Sequence, residues 1–187
     1  MELICKFRDL VLRSISDEDT EDILKWRNSE CVKKYFIDQK VIQKQDHIRW
    51  LRQKVDTGSV IQFIILERKD RHAIGTVYLQ HLDYQNRKAE YGIFIGEENL
   101  IGKGIGTAVA KRVIAYAFQE LKLHKLYLRV FSDNIRAITS YEKAGFQKEA
   151  LLKDDVLVAG RFRNIILMGI VNEEEVNDED FICDPLL

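Results

Sequence analysis

Proline is almost missing from this chain: one in 187 residues, Pro185, so no rigid breaker interrupts the interior. Cysteine is sparse too. Cys5, Cys31 and Cys183 are odd in number and far apart, which excludes a disulfide framework and fits a reducing cytoplasm. The longest apolar runs, residues 61–66 (interrupted by Gln62) and 165–171, fall well short of the ~20 residues of a membrane helix. Met1-Glu2-Leu3-Ile4 carries no basic segment followed by an apolar stretch, so no secretory signal is expected. Net charge is nearly absent, 29 Lys+Arg against 30 Asp+Glu, which excludes a global basic field for nucleic acid or anionic lipid. The four His and three Cys form no CxxC or HExxH spacing, so no metal is expected.

What is present describes an ordinary globular core, with 46% hydrophobic and 32% charged residues. Residues 1–171 read as a single domain, and 172–187 as an acidic C-terminal tail. Residues 10–15 read as a strand, and Ser16-Asp17-Glu18-Asp19 offers a cap and first-turn acids for a helix carrying Ile23, Leu24 and Trp26. A second helix is predicted over 43–55, and strands over 60–67, 73–81 and 88–95. A helix over 105–121 follows, with Val109, Val113, Ala117 and Leu121 at four-residue steps. A strand over 125–131, a helix over 134–144 and an antiparallel pair over 146–152 and 161–171 complete the pattern. This is a mixed α/β sheet of about seven strands and about four helices, with one strand–helix–strand crossover.

Two segments carry chemistry. Gly102-Lys103-Gly104-Ile105-Gly106-Thr107 follows a strand and opens a helix, where free N–H groups and the helix dipole suit a phosphate. An ordinary glycine-rich turn reads the same way. The spacing lacks the four residues of a P-loop, and Val109 stands where a Rossmann fingerprint needs its third glycine. Downstream, Asn134 and Tyr141 lie seven residues apart and share a helix face. Asn134 also reads as a helix cap, and Tyr141 as a core residue.

Taken together, the two segments resemble the GNAT family of acetyl-CoA-dependent N-acetyltransferases. The family turn, Gln/Arg-x-x-Gly-x-Gly/Ala, is matched at Gly104 and Gly106, and its later Asn-x-x-Ala-x-x-x-Tyr-x-x-x-Gly-Phe at Asn134, Ala137, Tyr141, Gly145 and Phe146. Ile101 departs from the pattern, standing where many members carry Gln or Arg. The resemblance covers about residues 8–171 and implies the GNAT fold with acetyl-CoA as cosubstrate. It implies that amides of Ile101, Gly102, Lys103, Gly104, Ile105, Gly106 and Thr107 hold the pyrophosphate. It further implies that the edge at Ile93, Phe94 and Ile95 pairs with the pantetheine arm. Asn134 would contact that arm or order the nearby loop, and the Tyr141 phenol would protonate the departing thiolate. The segment around Glu90 resembles the strand that supplies a glutamate base in some members; a structural carboxylate is the alternative.

For the acceptor, Trp26-Arg27-Asn28 with His47 and Trp50 is similar to a ribosomal-protein-alanine and amino-sugar-nucleotide group, and an amino-sugar nucleotide is the expected acceptor. Arg27 would clamp a diphosphate, Asn28 and His47 would bond hydroxyls, and a Trp would cover a ring. Both Trp residues read equally as core anchors. The alternatives are protein N-termini and polyamines, the latter drawing on Glu18, Asp19, Glu21 and Asp22. A different class, a CoA-binding regulatory domain without catalysis, fits the same motifs. The resemblance permits a homodimer.

Overall fold

The computed structural model describes residues 1–5 and 9–173, so nearly all of the acidic tail lies outside the described residues. Eight strands form one sheet in the order β1-β2-β3-β4-β5-β6-β8-β7. They are β1 (Glu2–Cys5), β2 (Leu10–Ser14), β3 (Ile61–Glu67), β4 (Ala73–Asp83), β5 (Lys88–Ile95), β6 (Lys125–Phe131), β7 (Gln147–Val158) and β8 (Arg161–Val171). The sequence pattern predicts seven. The eighth is β1, which alternates inward Leu3 and Cys5 with outward Glu2 and Ile4. Two inward residues give too short a period to stand out; pairing with β2 makes the strand.

The helices are α1 (Thr20–Asn28), α2 (Glu30–Lys33), α3 (Lys44–Trp50), α4 (Ile105–Gln119) and α5 (Ile135–Ala144). That is five, not four, because Ser29 adopts extended dihedrals and separates α1 from α2. The helix predicted over 43–55 is split as well, into α3 and a wider π-helical turn, Leu51–Val55.

The central strand β3 is buried almost throughout because both sheet faces are covered. Phe63 and Ile65 join one cluster with Val109, Val113 and Ala117 of α4. Ile64 and Leu66 join the other, with Ile23 and Trp26 of α1 and Leu51. The four-residue step along α4 places Val109, Val113 and Ala117 at full burial, which sets the helix firmly on the sheet.

The sheet is antiparallel except at one junction. β5 and β6 run parallel over just three register pairs, Lys88↔Lys125, Ala89↔Leu126 and Glu90↔Tyr127. Beyond them β5 stays paired to β4, while β6 stays paired to β8. The two halves of the sheet therefore part company after Glu90, and the right-handed twist of each widens the gap.

Candidate active site

That gap opens into a cavity of about 580 Å³, within the ~300–1,000 Å³ common for small-molecule sites. Its walls come from β4, β5 and β6, the turn before α4, α5, and α2 with the connection that follows it.

The turn before α4 has a geometry that suits an anion. Gly102 and Gly104 have φ of +82° and +80°, a left-handed conformation that costs a β-carbon-bearing residue about 1–2 kcal/mol. Gly104 is the N-cap, and the first backbone bond back into α4 runs from Ala108 N–H to Gly104 O, 3.1 Å. The amides of Ile105, Gly106 and Thr107 therefore lie in the unbonded first turn, at the positive end of the helix dipole. Gly106 also allows close packing, since a β-carbon there would lie 3.2 Å from Ser140 Oγ. Thr107 Oγ1 and Ser140 Oγ are 2.9 Å apart, which ties α4 to α5. Two expected contributors differ. The Ile101 amide already donates to Glu98 O at 3.1 Å, and Lys103 is exposed and not among the cavity-lining residues. Arg136 and Lys143 of α5 line the cavity and add positive charge that the sequence reading did not select.

Ile93, Phe94 and Ile95 all line the cavity. Their strand has lost β6 as a neighbour, so one edge of backbone groups is available to an extended chain. Asn134 lines the cavity too, while its side chain caps α5 by accepting from Ala137 N–H at 3.3 Å.

Tyr141 reaches the cavity from α5. Its ring stands nearly perpendicular to Tyr91 (88°, centroids 6.1 Å apart) and packs against Phe146. Burial, with Tyr78 nearby, holds its phenol well above the ordinary value, so it stays protonated and able to donate at neutral pH. Tyr91 is buried, and its hydroxyl has no partner among the described residues. It props the Tyr141 ring.

Glu90 also lines the cavity, with its side chain 16% exposed, and Glu90 Oε2 is 2.7 Å from His81 Nδ1. Tyr78 stands beside it, the phenol pushed up to about 12 by burial first and the Glu90 charge second. Sequence reasoning missed Tyr78. Nothing local in β4 shows that this tyrosine meets a glycine across the sheet.

The residues expected to hold a sugar nucleotide are elsewhere: Trp26, Arg27, Asn28, His47 and Trp50 are not among the cavity-lining residues. Trp26 is buried, packs over Gly96 and donates from Nε1 to Glu97 Oε1 at 3.1 Å. Asn28 bonds both backbone groups of Ile42, at 2.8 and 3.0 Å, and so fixes the α2–α3 connection. His47 is buried and stacked on the half-buried Trp50. Arg27 lies one layer behind the wall, its guanidinium 3.5 Å from the ring centroid of Phe36. The four acids offered for a polyamine are also outside the cavity. Asp19 pairs with Arg13 at 2.5 Å and Glu21 with Lys44 at 2.5 Å, while Glu18 and Asp22 line no part of it. The carboxylates that do line the cavity are Glu90 and Asp38.

Residues 9–147 match the family model described as an acetyltransferase (GNAT) domain. The chain belongs to the GNAT family. Among curated relatives of this GNAT enzyme, the spermidine N(1)-acetyltransferase of Vibrio cholerae is 29% identical over 168 residues, 90% of this chain and 96% of that protein. The enzyme of the same name from Escherichia coli K12 is 30% identical over 163 residues, covering 87% and 86%. A crystal structure of the Vibrio cholerae spermidine N-acetyltransferase in complex with CoA and spermine superposes with a TM-score of 0.83. It is 26% identical and covers 90% of this chain and 99% of that one. The protein is an acetyl-CoA-dependent N-acetyltransferase with the mixed α/β GNAT fold.

Proposed function

We propose that the acceptor of this acetyltransferase is a polyamine of the spermidine class, acetylated on a primary amine. The observation that carries the reading is the pair of carboxylates in the cavity wall, Glu90 and Asp38, beside the gap between β5 and β6. A polyamine presents several cationic nitrogens, and two separated acids suit it better than they suit an anionic diphosphate. The spermidine acetyltransferases among the relatives support the same choice over the amino-sugar nucleotide. So does the position of Trp26, Arg27, Asn28, His47 and Trp50 outside the cavity lining.

The residues present fit acetyl-CoA. The first-turn amides of α4 receive the pyrophosphate, with Arg136 and Lys143 near, and the free edge of Ile93–Ile95 receives the pantetheine arm. Acetyl-CoA supplies an already activated thioester, so the protein needs no nucleophile of its own. Its work is to orient the amine, remove protons and supply one to sulfur. A primary ammonium, with an ordinary pKa of about 10.4, must lose a proton before it can attack. Glu90 takes that proton, and the neutral phenol of Tyr141 delivers one to the departing sulfur.

Thiol release from acetyl-CoA, followed with spermidine, spermine, amino-sugar nucleotides and N-terminal peptides, tests the reading. Turnover with the polyamines and little with the rest is expected. Turnover confined to peptides or sugar nucleotides overturns it, and none with any amine leaves only a CoA-binding module.

A further inference from the structure

His81 sits where β4 leaves regular pairing. The register with β5 runs through Gln80↔Glu90 and resumes at Asp83↔Lys88, and His81 in the bulge between has φ of +50°. There its Nδ1 lies 2.7 Å from Glu90 Oε2. The two side chains have different surroundings. Glu90 is 16% exposed and lines the cavity, whereas His81 is 68% exposed and is not among the lining residues. One end of the pair lines the cavity and the other meets water.

The reaction needs such a connection. An ammonium acceptor and a thioester give an amide, a thiol and one free proton. The nitrogen gives up two protons while the N–C bond forms and the C–S bond breaks. One goes to sulfur through Tyr141, and the other has to leave the cavity. A carboxylate that keeps it cannot act in the next turnover.

We propose that His81 carries this proton from Glu90 to solvent, making it a positioning and relay residue for acceptor deprotonation. The inference rests on the reading of Glu90 as the base. The path balances without any change of oxidation state. In the starting state Nδ1–H of His81 donates to the Glu90 carboxylate. Once Glu90 has taken the nitrogen-bound proton, exchange with water moves the ring to its Nε2–H tautomer. Nδ1 then accepts the proton from Glu90 while Nε2 releases one to water, which restores the starting state.

The charged and titratable neighbours come from three strands. Tyr78 and Asp83 lie on β4, Lys88 on β5, and Tyr127 and Arg129 on β6. Tyr78 and Tyr127 are both held above the ordinary phenol value, by burial first, and stay neutral. Asp83 is held below its ordinary range by hydrogen bonds from Asn86 and stays ionised, and Arg129 is paired with Asp155. Among these groups the imidazole is the one that can take up a proton at one ring nitrogen and give one up at the other.

The test is kcat/KM against pH for the wild type, His81→Asn and Glu90→Gln, with and without added imidazole. Asparagine tolerates the left-handed backbone, and the position is exposed, so the variant folds. His81→Asn is expected to lose roughly tenfold in kcat/KM, below the usual range for a direct acid or base. Its pH profile departs from that of the wild type, the KM for acetyl-CoA holds, and imidazole in solution restores rate. A His81→Asn enzyme with the wild-type rate and pH profile overturns the relay, as does a loss that imidazole does not restore. Glu90→Gln separates the two ideas. A wild-type-like Glu90→Gln removes base and relay together, whereas a slow Glu90→Gln beside a normal His81→Asn removes the relay alone.

Discussion

The ring of Tyr78 on β4 occupies the space that a side chain at Gly92 on β5 would need. A β-carbon built at position 92 would fall 2.2 Å from Tyr78 Cζ and 2.4 Å from its hydroxyl oxygen. The two residues are direct cross-strand partners, and both line the cavity between Glu90 and the free edge of β5. Glycine at 92 is therefore a steric requirement set by its neighbour across the sheet.

Gly92→Ala is expected to push Tyr78 out of place and to cost about 1–3 kcal/mol, the usual price of overpacking. Chemical denaturation measures that loss. The kcat/KM should fall with it, and the double variant Gly92→Ala/Tyr78→Ala should recover stability relative to Gly92→Ala alone. If alanine is accepted at 92 without loss, the contact is softer than this geometry allows.

Tyr141→Phe keeps the ring packing against Tyr91 and Phe146 and removes the hydroxyl proposed as the proton donor. The expected effect is a fall in kcat of about 10²–10⁴-fold, the span for general acid–base help. Acetyl-CoA affinity by calorimetry should be nearly unchanged. Unaltered turnover would take Tyr141 out of the chemistry.

Gly102 has φ of +82° and nothing within 4 Å of its β-carbon position, so Gly102→Ala introduces backbone strain without a clash. Strain of about 1–2 kcal/mol in the turn is expected to disturb the anion site, raising the KM for acetyl-CoA several-fold with kcat little changed. A fall in kcat at constant KM would point to a different role for the turn.

Asp38 lies in the exposed connection between α2 and α3 and faces the cavity. An exposed ion pair is worth about 0.2–1 kcal/mol, so Asp38→Asn should raise the KM for spermidine by a few-fold and leave that for acetyl-CoA alone. An equal KM for spermidine would remove Asp38 from acceptor binding.

His47 is buried, its Nε2 has no partner among the described residues, and burial lowers its pKa, with Asp17 and Asp19 pulling the other way. A lowered value means that the unfolded chain binds a proton at a pH where the folded chain does not. Stability should therefore decline as pH falls below about 6.5, the ordinary histidine value, and level off once the folded form protonates too. Tm measured from pH 7.5 down to 5 should show this for the wild type. His47→Phe, which preserves stacking on Trp50, should flatten the profile in that window.

Much of the α4–α5 half was legible from residue spacing. Val109, Val113 and Ala117 mark a helix face because burial follows the helical period, and all three are fully buried. Gly104 before α4 and Gly145 after α5 mark the helix ends because both need positive φ. The Trp26 segment was less legible. A tryptophan beside an arginine on a short helix looks the same whether it faces a ligand or Gly96, and the glycine lies 70 residues further along.

The scarcity of proline, the glycine turn, the Asn134–Phe146 pattern and the alternation of strands and helices are properties of the sequence itself, since each acts through local backbone preference or a short period. They determine the family and the order of elements. Tertiary structure alone decided which residues share the cavity. Parallel pairing of β5 with β6 stops after Glu90, and that single divergence opens the space in which Glu90, Asp38, Tyr78 and Tyr141 meet. Strand pairing joins segments far apart in the chain through twist and register, and no local pattern records where such a pairing ends.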